Sequence, residues 1–315
     1  MPSPTAGAIA YAESLEASYA RSYVAELDGP FRQPPVRVRA VHYRATRASA
    51  KRRFLLLHGN PSHLHHFSAN LAFLREHGEV ALFDAPGFGR SPAVKEPISL
   101  HFMAEVARAF AASLGWHEGV DVVGQSHGGA VAQTLAARWP DLLRSGILLC
   151  TMGYPATFAL RLGMLPGAET VTHAVASRAT RFPFRAVATA FARAETRASF
   201  APDAIPDGLC EGELALVAAR PEIQRASIRA IHGDPTRILR EQAPRIRTPL
   251  LFVHGAGDRL VPIAFAERLF AMIAPGSPRS RFVRIEGGHM VHLTHPARVH
   301  AELERWLAED RPASV

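Results

Sequence analysis

The sequence predicts an α/β protein: a doubly wound, mostly parallel sheet carrying an inserted helical cap. Three observations lead there. Apolar runs of strand length alternate with amphipathic stretches of helix length in both halves of the chain. Strands separated by whole helices pair in parallel through right-handed crossovers. The interval from Gly153 to Arg245 is far longer than a strand–helix connection of ~2–6 residues, so it holds structure of its own. With 315 residues, 48% of them hydrophobic, the chain can bury one large core and still carry such an insertion.

The elements follow in order. Residues 8–27 set Ile9, Ala12, Leu15, Tyr19, Tyr23 and Leu27 at helical spacing, predicting an amphipathic helix in an N-terminal extension over 1–35. That helix packs on the body or, as the alternative, makes the contact of a homodimer. Segments 36–43 and 54–57 read as a hairpin pair, and "VRVRAVHYRA" alternates like a half-exposed strand with its arginines outward. A helix near 64–76, strand 80–83, helix 99–114, strand 120–123, helix 127–138 and strand 146–150 come next. Strand 249–253, helix 262–274, strand 281–285 and helix 296–308 complete the set, with no internal repeat.

The core thus takes 36–152 and 246–315, and the cap takes 153–245. The cap interval holds helix-like stretches such as "FRAVATAFARAETR", broken by Pro166, Pro183, Pro202, Pro206, Pro221 and Pro235. Its apolar positions Leu160, Leu162, Met164, Phe182, Phe184, Phe191, Leu209, Leu216 and Val217 either roof a pocket or form the cap's own small core.

Composition narrows the class. Two cysteines, Cys150 and Cys210, are too few for a disulfide framework and fit a reducing compartment; Cys150 ends an apolar run and reads as an inert core thiol. Glu13 and Glu16 interrupt any apolar leader, and no uncharged run reaches the ~20 residues of a membrane span. A soluble, cytoplasmic protein is expected. The net charge of +8 is uneven: residues 31–53 hold eight Arg or Lys and no acid, and residues 153–200 hold six Arg against two Glu. Such a surface can meet nucleic acid or an acidic partner. Neither stretch carries a nucleic-acid motif, so a solvated basic face is expected, and no nucleic-acid partner.

The chemistry begins at "DVVGQSHGGAVAQTLA", residues 121–136: an apolar strand, then Gly124-Gln125-Ser126-His127-Gly128-Gly129, then a helix. Gly124 and Gly128 allow a turn tight enough to force Ser126 into a strained conformation, its Oγ above the sheet at the positive end of the helix. This is the nucleophile elbow in its strand–turn–helix context. A serine needs a base and an orienting acid. "PLLFVHGAGDRLVP" ends a strand in a tight turn bearing Asp258, and "RFVRIEGGHMVHLTHP" ends the next in Gly287-Gly288-His289. Ser126, Asp258 and His289 all lie beyond strand C-termini, where open α/β sheets bind ligands. The rivals sit worse. His292 reads as a bystander, and His295 precedes Pro296 at a helix start. Asp84 is placed in the turn below, and Glu286 inside its strand.

"LLLHGNPSHLHHF", residues 55–67, supplies the remaining part. A tetrahedral intermediate needs two N–H donors. One is the backbone of His127, after the nucleophile; the other is the backbone of Asn60, held extended by Pro61, which has no N–H itself. His63, His65 and His66 lack an accompanying Cys or carboxylate cluster, so they read as a helix entry and no metal is expected. "DAPGFGRS", 84–91, lacks G-x-G-x-x-G spacing, so no dinucleotide or other cofactor is expected.

With these motifs in order, residues ~36–308 resemble a capped α/β-hydrolase. His58-Gly59-Asn60-Pro61 is similar to the turn of haloalkane dehalogenases and epoxide hydrolases, which have Asp where Ser126 stands. The resemblance therefore implies a serine esterase acting on a small, largely apolar molecule. Ser126 attacks, His289 shuttles the proton, Asp258 orients His289, and an acyl-enzyme is hydrolysed. Carbon–carbon hydrolases, thioesterases, amidases and cofactor-free haloperoxidases share the triad. A ligand receptor on a hydrolase fold is the alternative outside enzymes.

Overall fold

Eight strands among the described residues form one sheet. They are β1 (Tyr23–Leu27), β2 (Val36–Tyr43), β3 (Arg52–Leu57), β4 (Gly78–Phe83), β5 (Val120–Gln125), β6 (Leu143–Leu149), β7 (Leu250–Gly255) and β8 (Arg281–Ile285). The structure is a computed structural model that describes residues 23–27, 35–95, 98–154, 193–194, 196–206, 222–231 and 235–309. The spatial order is β1-β2-β4-β3-β5-β6-β7-β8. β3 to β8 run parallel, while β2 is antiparallel to both β1 and β4.

The hairpin pair expected at 36–43 and 54–57 does not form. β4 lies between the two, pairing Ala40 with Phe83 on one side and Leu56 with Leu82 on the other. The reason is burial: "VALF" of β4 is apolar on both faces and needs a neighbour on each edge. The end of the expected N-terminal helix is also different. Tyr23–Leu27 is strand β1, registered from Tyr23 opposite Ala40 to Leu27 opposite Val36, and it covers what would be the bare edge of β2. The rest of that predicted helix lies outside the described residues.

Helices flank the sheet on both faces: α1 (Ser68–His77), α2 (Leu100–Ser113), α3 (His127–Arg138), α4 (Glu222–Ile231), α5 (Pro235–Gln242), α6 (Ile263–Ile273), α7 (Val291–Thr294) and α8 (Pro296–Glu309). The period of two along β3 shows the layering. Leu55 and Leu57 join α2, α3 and α6 in one core, whereas Phe54 and Leu56 join α1 and α8 in the other. Each such buried side chain contributes roughly 1.5–3 kcal/mol. Local signals start the helices: the Ser99 hydroxyl accepts the Phe102 N–H at 3.1 Å and caps α2.

Within 153–245 the described residues contain helices α4 and α5 and helical residues at 196–200. The apolar positions singled out there, Leu160 to Phe191 and Leu209 to Val217, lie outside the described residues, as does Cys210. No described helix is long and apolar enough to cross a membrane.

Candidate active site

The parallel strands deliver their C-terminal ends to one edge, and the predicted site residues gather there. Ser126 follows β5 and caps α3 with φ 53° and ψ −116°, a backbone that L-residues seldom adopt. Two glycines make the turn possible. A Cβ at Gly124 would run into the backbone of Gly128, and one at Gly128 into the carbonyls of Leu57 and His58. The turn is tied down by Ser126 N–H to Leu149 O at 3.0 Å and Met152 N–H to Ser126 O at 3.2 Å. Ser126, Asp258 and His289 are all buried.

Asp258 stands on the turn after β7, and His289 on the loop after β8. His289 Nδ1 lies 2.7 Å from Asp258 Oδ2. The other carboxylate oxygen accepts the backbone N–H groups of Leu260 at 2.9 Å and Val261 at 2.8 Å. Burial alone would raise the Asp258 pKa. The charge of His289 and hydrogen bonds from His254 and His289 prevail and hold it well below the usual carboxylate range. With an ionised acceptor on Nδ1, His289 keeps its proton there and presents Nε2 as the basic nitrogen. The histidine loop also reaches the elbow: Gln125, beside Ser126, donates its amide to Met290 Sδ at 3.6 Å.

The turn after β3 lies against Ser126. A Cβ at Gly59 would sit 3.2 Å from Ser126 Cβ. His58 holds this turn from beneath. Its Nε2 accepts the Ala85 N–H at 2.9 Å, so the proton sits on Nδ1, which donates to Gly59 O at 2.8 Å. Burial outweighs the nearby Asp84 charge and lowers the His58 pKa to about 4, which preserves the neutral tautomer. The two predicted oxyanion residues both touch the cap interval. Asn60 Nδ2 donates to Ser227 O at 2.9 Å, and the His127 ring is hydrogen-bonded to the Ala230 backbone, both on α4.

The sequence model of the alpha/beta hydrolase family matches residues 54–302. The chain belongs to that family. A pimeloyl-[acyl-carrier protein] methyl ester esterase from Xanthomonas axonopodis pv. citri is 26% identical over 264 residues, 81% of this chain and 94% of the esterase. The polyketide synthase ThaQ of Burkholderia thailandensis is 28% identical over 228 residues, 71% of this chain and only 10% of the synthase. Among solved structures, a thermophilic esterase from Thermogutta terrifontis superposes with a TM-score of 0.72 at 22% identity, covering 92% of this chain and 100% of that one. At that identity the likeness is one of fold.

The residues set aside as rivals also find places in this α/β hydrolase. His292 is buried with Nε2 3.1 Å from His66 O, and burial lowers its pKa to about 3. His295 faces Thr294 Oγ1 at 2.9 Å and Asp203 at 3.6 Å. Two placements of the acids are corrected. Glu286 lies one residue beyond β8, exposed. Asp84 shares the C-terminal edge with the site rather than lying below it, but its carboxylate is occupied. It accepts the N–H groups of Leu64 at 2.9 Å and Arg90 at 2.8 Å and pairs with Arg39 at 3.2 Å. Arg39 is therefore buried, not outward as the alternation of β2 suggests, while Arg37 does face solvent. His63 caps the short helix Leu64–Phe67, its Nδ1 accepting the His65 N–H at 3.3 Å.

Cys150, His254 and Asp258 bring metal-ligand types of atom within 4.8 Å of one another. Their states do not suit a cation. Burial and the nearby Asp258 charge push the Cys150 thiol well above its ordinary pKa, and the Asp258 oxygens already accept four N–H groups. Two residues close to the site escape the sequence reading. His254 gives a signal, as the one imidazole in the apolar strand "LLFVHG"; Asp203, remote in sequence, gives none.

Proposed function

We propose that the protein is a serine hydrolase that cleaves the carboxylic ester of a small, largely apolar substrate through an acyl-enzyme. The observation that carries the reading is the 2.7 Å His289–Asp258 hydrogen bond, set on the same sheet edge as a serine with positive φ. The names of the relatives support ester chemistry.

In the proposed reaction Ser126 Oγ attacks the ester carbonyl while its proton passes to His289 Nε2. Charge develops on the carbonyl oxygen, where the backbone N–H groups of Asn60 and His127 receive it. His289 then hands the proton to the departing alkoxide oxygen, the C–O bond breaks, and the acyl group stays on Ser126. Water repeats the sequence with the same base, releasing the acid and restoring the hydroxyl. Asp258 stays ionised throughout and stabilises the imidazolium. In this proposal α4, from the interval assigned to the cap, borders the chemistry through its contacts to Asn60 and His127.

A second reading has the ester on an acyl chain attached to a carrier protein, as the name of the Xanthomonas relative states for that enzyme. The net charge of +8 favours an acidic partner. The deciding experiment compares p-nitrophenyl esters of graded acyl length with methyl esters of carrier-bound acyl chains. A p-nitrophenol burst with an acyl mass increment on the peptide containing Ser126 is expected. Turnover without such an adduct, or no turnover of any ester, would overturn the proposal.

A further inference from the structure

His254 is the penultimate residue of β7 and fully buried, where an imbalanced polar group is costly. Its Nε2 lies 2.9 Å from Val261 O and 3.2 Å from Asp258 Oδ2. Both neighbours are acceptors, one a carbonyl and the other an ionised carboxylate, so Nε2 must carry the proton. The ring plane is held by stacking on Phe282, 6.3 Å between centroids at 19°. Val261, whose carbonyl takes the His254 proton, donates its own N–H to Asp258 Oδ1 at 2.8 Å. The imidazole therefore closes a ring around the acid turn, bridging Asp258 and the residue three places on.

The consequence lies in which oxygen is shared. Asp258 Oδ2 accepts His289 Nδ1–H at 2.7 Å, and the one Nε2–H of His254, shared with Val261 O at 2.9 Å, lies 3.2 Å from the same oxygen. We propose that His254 is a positioning residue for the acid–base pair, fixing the Asp258 carboxylate and moderating its hold on the proton of His289. The inference rests on the reading of Ser126, His289 and Asp258 as the catalytic set. A carboxylate oxygen that already accepts one N–H presents less negative potential to a second, so it stabilises imidazolium less. Removing the His254 donor would therefore strengthen the hold of Oδ2 on the Nδ1 proton of His289, a change that the pH profile of the reaction reads.

Other ionisable groups around the pair are accounted for. From the cap interval, Asp203 accepts the Gly288 N–H at 2.9 Å, with His295 3.6 Å from it. Cys150 reaches Gly288 O at 3.7 Å, and His292 is turned to His66 O. On the far side of Phe282, Arg284 is paired with Glu267 at 2.7 Å. None of these replaces the His254 donor on Oδ2, since each is engaged elsewhere.

The test measures kcat/KM from pH 5.5 to 9.5 for wild type, His254→Phe and His254→Gln with one p-nitrophenyl ester. Phe keeps the stack and removes the donor, while Gln places an amide N–H near the position of Nε2. His254→Phe should lower the ratio of kcat/KM at pH 6 to that at pH 9 by about 3–10-fold, and Gln should restore most of it. An equal loss at every pH, or no loss, overturns the inference. Should the Phe variant not fold, ¹⁵N spectra of histidine-labelled wild type decide. The Nε2–H tautomer of His254 supports the inference and Nδ1–H refutes it. Labelling of Ser126 by a fluorophosphonate is followed in parallel. If wild type is not labelled there, the catalytic reading itself fails, independently of His254.

Discussion

Asp203 Oδ2 accepts the backbone N–H of Gly288 at 2.9 Å, one residue before His289. The same oxygen accepts the Thr294 hydroxyl at 2.9 Å, so one carboxylate from the 153–245 interval pins both ends of the histidine loop. Hydrogen bonds to a charged group contribute ~1.5–3 kcal/mol, and leaving partly buried donors unmet adds a cost. Asp203→Ala should lower the urea-unfolding free energy by about 1–3 kcal/mol. kcat should fall as the loop loosens, with Asp203→Asn intermediate. A variant equal to wild type in both measurements would show that the loop holds without the latch.

Ser126→Ala should abolish ester hydrolysis and fluorophosphonate labelling while the circular dichroism spectrum stays that of wild type. Loss of a nucleophile or base typically costs on the order of 10⁴–10⁶ in kcat. His289→Ala should match it. His292→Ala should instead lower stability and leave a far larger share of kcat/KM, because His292 is bonded to His66 O rather than to Asp258. Label found on another serine, or an active His289→Ala beside an inactive His292→Ala, contradicts the assignment.

Acid should weaken this fold well above the carboxylate range. Burial takes His58 and His127 from 6.5 to about 4, and His292 to about 3. Between these values the unfolded chain binds protons that the folded chain refuses. Their contribution is complete above pH ~6.5 and is lost as pH falls toward 4, on the order of 3 kcal/mol for each of the first two. Asp258 is held low, so its loss comes only at lower pH. The urea midpoint should drop between pH 6.5 and 5; a flat midpoint over that range would show that these imidazoles take up protons without unfolding.

What the sequence discloses and what it hides divide along one physical line. Local steric rules are legible. Gly124 announces the elbow because the close approach it permits, to the backbone of Gly128, lies four residues on, and α3 begins at His127 as expected. The approach of Gly128 to the carbonyls of Leu57 and His58, by contrast, exists only in the folded chain. The doubly wound order follows from helices between strands. Long-range pairing is not legible: β4 enters between β2 and β3 because both its faces are apolar, not through any turn signal. Arg39 breaks the outward pattern of β2 because Asp84, 45 residues on, takes its charge. Asp203 and His254 act through contacts that only the folded chain creates.

The side chain of Asn60 is bound by α4, its Nδ2 giving a 2.9 Å hydrogen bond to Ser227 O. That leaves its backbone N–H for the proposed oxyanion, and backbone donors survive side-chain substitution. Asn60→Ala should therefore cost less than about tenfold in esterase kcat, against roughly 10²–10³ for the loss of a side-chain oxyanion donor. A loss above 10² would move the donor from backbone to side chain. The same residue belongs to His58-Gly59-Asn60-Pro61, whose resemblance to the dehalogenase turn would, if it governed the chemistry, make the asparagine side chain a halide ligand. Here Ser126 in place of Asp would yield an ether with a haloalkane, and neither water nor His289 cleaves an ether readily. No multiple-turnover halide release from 1-chloro- or 1-bromoalkanes is expected by ion chromatography. Sustained release would mean that His58-Gly59-Asn60-Pro61, rather than the serine, defines the chemistry.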